Sequence, residues 1–217
     1  LAPLAFEVYF ETGNDQKAEN ALALITSPAE RAKLAPRVYN AGVRASQQED
    51  LDLAMELFGQ AADLDPEMVD AVQNMGAIEF NREEYAAAVP YIERLLELDP
   101  VNTEGRRLLY YSYRELDDER VNDALASFLE RANTEAVGIV ADNAAADFEG
   151  GRENEALEAL EILVQKRPEV AIGHYRLALV LASRGRNDEA KQHLQHFLDA
   201  APDHAEAGAA RSMLEQL

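Results

Sequence analysis

The 217-residue chain has no cysteine and no tryptophan, only 7% aromatic residues, and 20 basic side chains against 41 acidic ones. Without cysteine there is no disulfide framework, no thiolate metal site and no cysteine nucleophile. With so few aromatics, the interior must be built from Ala, Leu, Val and Ile. No apolar run approaches the roughly 20 residues that a membrane-spanning helix needs. The first ten residues, Leu1 to Phe10, hold Glu7 where a signal peptide would begin basic. A formal charge of -21 repels a phosphate backbone, so nucleic acid is not an expected partner. Because the chain begins at Leu1 instead of Met, a longer precursor is expected, and the compartment, otherwise unmarked, leans towards export.

What the chain does contain favours helix. Stretches rich in Ala, Glu and Leu carry high helix propensity, and the Val, Thr and Tyr alternation of strands is missing at any useful length. Fixed internal periods reveal solenoid architectures. Pro66, Pro100, Pro168 and Pro202 stand 34, 68 and 34 residues apart, with Thr134 in the vacant slot. Counting from Ala35, repeat position 8 is Gly42, Gly76, Tyr110, Ala144 and Ala178. Position 20 is Ala54, Ala88, Asn122, Ala156 and Ala190; position 24 is Phe58, Ile92, Ala126, Leu160 and Leu194. Position 27 is Ala61, Leu95, Leu129, Leu163 and Phe197.

The order small, small, large, Pro at this period resembles the tetratricopeptide repeat superfamily. The resemblance covers Ala35 to Pro202 as five units, 35–68, 69–102, 103–136, 137–170 and 171–204. It implies an all-α, right-handed superhelical solenoid of antiparallel helix pairs. Residues 1–34 read as a divergent or truncated unit, with Phe6, Tyr9 and Phe10 on one helix, Ala18, Leu22 and Ile25 on the next, and Gly13 and Asn14 in the turn. Residues 205–217 read as a capping helix with Met213, Leu214 and Leu217 inward, all in one continuous domain. Pentatricopeptide repeats would need period 35 and a basic face.

The physics of each marker agrees. At 100° per residue, positions 4, 7, 8 and 11 cluster on one stripe, such as Val38, Ala41, Gly42 and Ala45. A small position 8 lets two backbones approach, and Pro at 32 ends the second helix. Gly151 and Gly185 supply left-handed turns between helices. In the third unit the matching turn falls two residues late, so Ala124 and Phe128 are expected to replace Asn122 and Ala126, with a shorter exit turn as compensation.

The resemblance implies a concave groove lined by the first helices, receiving a peptide or a partner's helix. Positions opposite the packed stripe give Tyr39, Asn40 and Val43, then Gln73, Asn74 and Ala77, then Arg107, Tyr111 and Arg114, and lastly Tyr175 and Arg176. Tyr and Arg are over-represented at binding hot spots. In peptide-binding relatives an Asn at position 6, here Asn40 and Asn74, bonds the ligand backbone. The carboxylate clamp of some relatives is not reproduced. Its slots hold Tyr39, Val43, Asn74, Glu104 and Leu108, of which Asn74 alone matches.

His193 and His196 stand three apart on a second helix, a spacing that suits metal only with further ligands, and two surface polar residues are the simpler reading. There is no acid/base pair, no triad order and no Gly-rich phosphate loop. The sequence therefore describes a non-enzymatic protein-interaction scaffold with no cofactor and no metal. A self-assembling module, or the regulatory arm of a larger protein, is the alternative.

Overall fold

The computed structural model describes residues 1–217 apart from the side chain of Asp15. Its helices are α1 (Ala2–Glu11), α2 (Asp15–Ala23), α3 (Pro28–Ala32), α4 (Ala35–Gln47), α5 (Leu51–Leu64), α6 (Val69–Asn81) and α7 (Tyr85–Leu98). They continue as α8 (Thr103–Glu115), α9 (Val121–Leu129), α10 (Thr134–Glu149), α11 (Glu153–Lys166), α12 (Ala171–Ser183), α13 (Asn187–Ala200) and α14 (Ala207–Gln216). No strand occurs among the described residues. The chain divides into two compact units, Leu1–Leu116 and Asp117–Leu217, and the division falls in the turn between α8 and α9.

Within the first unit α1 packs on α2, and α4 to α8 stack in chain order. Within the second, α10 pairs with α11 and α12 with α13, while α9 lies on α11 and α14 on α13. Both units are all-α arrays of antiparallel helix pairs of solenoid type.

Local sequence explains where the helices begin and end. Asn14, Asp50, Asn102 and Asn133 sit at N-caps, their side chains accepting the backbone N–H of Lys17, Leu53, Gly105 and Ala136. Each such cap is worth roughly 1 kcal/mol. The second helices stop two residues short of the repeat proline, which disfavours helical backbone at the residue before it, although Pro90 is accommodated inside α7. Asp65 accordingly turns extended and Asp99 leaves the helical region, with φ of -136° and -130°. Between helices, Gly151 and Gly185 take φ of +87° and +72°. Glu49, Glu83 and Asp117 occupy the same repeat position with φ of +64°, +63° and +50°. The left-handed turn is thus present in all five units, three of them without glycine.

Small residues sit where helices cross. A Cβ on Gly42 would come within 2.8 Å of the Phe58 ring, and one on Gly76 within 3.1 Å of Ile92. Ala54, Ala88, Ala156 and Ala190 are fully buried beside the large Phe58, Ile92, Leu160 and Leu194. Burying each large side chain contributes about 1.5–3 kcal/mol.

The third unit departs from the lattice. The turn 116–120 has two residues more than 48–50 or 82–84, and Ala124 and Phe128 are buried where Asn122 and Ala126 are not. The exit turn 130–133 is no shorter than 65–68. Compensation lies in the helices instead. α9 has 9 residues against 14 in α5, α7, α11 and α13, and α10 starts three residues ahead of the lattice at Thr134. The shortened end is closed from outside: Arg167 Nη1 donates to the carbonyls of Leu129 and Ala132 at 3.2 and 2.5 Å.

At the C-terminus, Ala207 and Ala210 are the buried residues of α14, and Met213, Leu214 and Leu217 are only partly covered. The short helix carries its small residues inward because Ala permits close approach to α13.

Candidate functional site

In the N-terminal unit, α4, α6 and α8 present one connected face. Tyr39 lies half-buried against Phe58, with ring centroids 5.5 Å apart, and its hydroxyl accepts a hydrogen bond from Asn74 Nδ2 at 3.1 Å. The same Nδ2 donates to the Asp70 carbonyl at 3.0 Å. Asn74 has thus spent its donors within the chain, and its carbonyl oxygen accepts no bond among the described residues. Asn40, the residue after Tyr39 on α4, is exposed. Gln73 accepts from Asn102 Nδ2 at 3.3 Å, tying α6 to the cap of α8. Val43 and Ala77 are half-buried between these polar groups.

Arg107 sits at the meeting of α6 and α8. Its guanidinium lies 5.9 Å from the Phe80 ring centre and 5.8 Å from that of Tyr111, and it clamps Glu104 through two bonds of 2.8 and 2.6 Å. That bidentate bond holds the Glu104 carboxyl below its usual range, against the opposing effect of burial. Arg114 is paired with Glu115 at 3.1 Å. The face therefore offers a cation held between two aromatic rings, one Asn carbonyl, one exposed Asn and an aliphatic floor. That set can hydrogen-bond an extended backbone and grip one planar or aromatic side chain.

In the C-terminal unit the expected residues are differently placed. Tyr175 is 5% exposed, so it does not line an open surface. Its ring folds back onto Phe197, with centroids 5.1 Å apart, and burial raises its hydroxyl pKa. Position 5 is open by angle alone, but a long ring there leans over the second helix of its own pair. Arg176 is pinned to Asp142 at 3.0 Å, joining position 6 of α10 to position 6 of α12.

Sequence reading missed His174. It stands at inward position 4, where Val38, Val72 and Val140 stand elsewhere, and an imidazole in that slot is the signal that could have found it. His174 Nε2 bonds the Pro168 carbonyl at 3.0 Å, and its Nδ1 faces His193 Nδ1 at 2.8 Å. His196 Nε2 reaches the same carbonyl at 3.3 Å. A carbonyl only accepts, so His174 carries its proton on Nε2, its Nδ1 accepts, and His193 donates from Nδ1. Burial drives the His174 pKa down to about 4 and lowers that of His193 as well. His193 and His196 are thus part of a packed three-ring cluster. Arg94, Arg106 and Arg211 make the corresponding bonds to the carbonyls of Pro66, Pro100 and Pro202.

Among the described residues, no three His, Cys, Asp or Glu side chains are placed to hold a metal ion together, and no helix is long and apolar enough to cross a membrane.

Comparison with known proteins agrees with this architecture. The structure of MamA aligns with 82% of this chain and 96% of its own at 18% identity and a TM-score of 0.53. The structure of YrrB, described as a TPR protein with an unusual peptide-binding site, aligns with 81% of this chain and 90% of its own at 20% identity and a TM-score of 0.51. Human Protein O-mannosyl-transferase TMTC1 is 32% identical over 95 residues, 43% of this chain, and the chain spans 11% of that protein. The tetratricopeptide repeat profile matches residues 39–103 and 142–205, more than half of the sequence. The chain therefore belongs to the tetratricopeptide repeat family, whose fold is that of a protein–protein interaction scaffold and typically not of a catalyst.

Proposed function

We propose that the α4, α6 and α8 face of the N-terminal unit holds an extended peptide segment of a partner protein. The observation that carries this reading is the run of contacts Tyr39 to Asn74 and Phe80 to Arg107 to Tyr111, which joins three successive first helices into one prearranged surface. A rigid surface loses little conformational freedom on binding, so more of the contact energy appears as affinity. The free Asn74 carbonyl and exposed Asn40 serve the peptide backbone, and the Arg107 cage takes a side chain. The peptide-binding site ascribed to YrrB supports the reading by analogy of fold.

The test is capture from native extract on immobilised chain. Replacing Asn40, Asn74 and Arg107 by Ala is expected to lower retention of the identified partner by about tenfold or more, since hot-spot truncations each cost 1–2 kcal/mol or above. The far-ultraviolet circular dichroism should not change. Equal retention by the triple variant and the parent would refute the proposal.

Self-association is the second reading. It is favoured by α1, which exposes Leu4 and Val8 along one stripe below the exposed N-cap residue Leu1. Light scattering that returns a monomer mass at every concentration would remove it.

A further inference from the structure

A second surface of the N-terminal unit, away from the α4, α6 and α8 face, carries an independent argument. Between α5 and the α1–α2 hairpin lies a cavity of about 370 Å³, within the range of ligand sites. Along α5 its lining residues include Leu53, Leu57 and Leu64, spaced to fall on one helical face over about 17 Å. Phe6, Phe10 and Leu22 complete the apolar wall from the hairpin. Leu53 is 43% exposed and Phe10 and Leu22 are half-buried, so these three form the solvent-facing part of the wall, whereas Leu57, Leu64 and Phe6 lie buried beneath it.

The rim has a sign. Glu19, Glu56 and Asp63 line it and are all exposed, with Arg31 the one cation among the described lining residues. The whole chain adds a charge of -21. A partner segment with basic flanks meets favourable potential from both the rim and the molecule, and an acidic one is repelled.

The walls also set the partner's conformation. They are helices, whose backbone groups are spent on their own hydrogen bonds, and Gln60 on the rim is engaged with Glu56 at 3.1 Å. An extended strand would find few partners for its N–H and C=O groups there, whereas a helix satisfies its own. From this groove and its charge we infer that the α5 and α1–α2 cleft docks an amphipathic helix of a partner protein, with apolar side chains seated on Leu53, Phe10 and Leu22 and Lys or Arg facing Glu19, Glu56 and Asp63. Apolar burial supplies the affinity, because exposed ion pairs contribute little each; charge supplies selectivity and association rate.

Three synthetic helical peptides of about 15 residues, four turns in length, test this on the full chain by fluorescence anisotropy. One has Leu at i, i+3, i+4 and i+7 with Lys elsewhere, one replaces Lys by Glu, and one scrambles the Lys sequence. The patterned Lys peptide is expected to bind about tenfold or more tightly than the other two. Leu53→Glu should weaken it by a similar factor, and the double variant Glu56→Lys with Asp63→Lys should move preference towards the Glu peptide. Leu53 is exposed enough for that variant to fold, and the double variant, confined to the surface, gives the same answer if it does not. Equal binding of the scrambled peptide would show diffuse attraction to an acidic surface and overturn the inference. So would binding indifferent to both variants, or a dimer that Leu53→Glu dissociates, which would make a second copy the occupant.

Discussion

Glu49 and Glu83 pay for a turn that Gly151 and Gly185 make freely. A side chain at φ near +60° brings Cβ against the backbone, at a cost of about 1 kcal/mol. Glu49→Gly and Glu83→Gly are each expected to raise stability by about 0.5–1 kcal/mol, less the greater freedom of glycine in the unfolded chain. Urea denaturation would show a higher midpoint at unchanged slope; a lower midpoint would contradict the turn argument. The left-handed backbone at Glu49 and Glu83 was not read from the sequence, because glutamate carries no signal for it, although both stand at the lattice position of Gly151 and Gly185, where glycine did.

His174 makes a pH prediction. In the folded chain it stays neutral to about pH 4, whereas its unfolded pKa is near 6.5. Between those values the unfolded state binds more protons, so stability falls as pH drops from about 6.5 to about 4, by on the order of 2–3 kcal/mol. The groups facing it are His193 and His196 from α13, and Glu161, Arg186 and Glu189 act in turn on His193. A proton on His174 Nδ1 would set two N–H groups against each other at 2.8 Å. Melting temperatures at pH 7 and pH 5 should differ in the parent and differ less in His174→Leu, which keeps the smaller His193 contribution; an unchanged difference would reassign the effect.

At the level of single helices, the 34-residue lattice made the ends of the second helices and the helix-crossing positions readable, because the repeat proline and the small residues act locally; the N-caps at Asn14, Asp50, Asn102 and Asn133 were not singled out. The third unit was half-readable. Its longer turn showed in the displaced Ala124 and Phe128, but the truncation of α9 did not, since its closure depends on Arg167, 38 residues beyond Leu129. That guanidinium is largely covered and satisfies the carbonyl at the end of α9 and a second one in the exit turn. Arg167→Ala should cost about 1.5–3 kcal/mol and speed amide exchange at the end of α9. Exchange unchanged there would deny the capping role. At the other extreme of size, Gly42→Val would drive methyl groups into the Phe58 ring, and a loss of about 1–3 kcal/mol or more is expected by thermal melting.

At the level of the molecule, a scaffold acts through what its surfaces offer. The angle rule that located Tyr39, Asn74 and Arg107 also named Tyr175, which is buried because Phe197 gives its ring somewhere to fold. Angle fixes where a side chain leaves the helix, and its length and neighbours decide where it ends. Asn74 likewise was legible as a position but not as a group whose amide is already engaged by Tyr39. The central claim is that a partner lies across α4, α6 and α8. Hydroxyl-radical footprinting of the captured complex, read by mass spectrometry, tests it most directly. Tyr39, Phe80 and Tyr111 should be oxidised less in the complex than in the isolated chain, while buried Tyr175 stays unchanged. Protection confined to Leu53 or to Leu4 and Val8, with Tyr111 oxidised as before, would contradict the account.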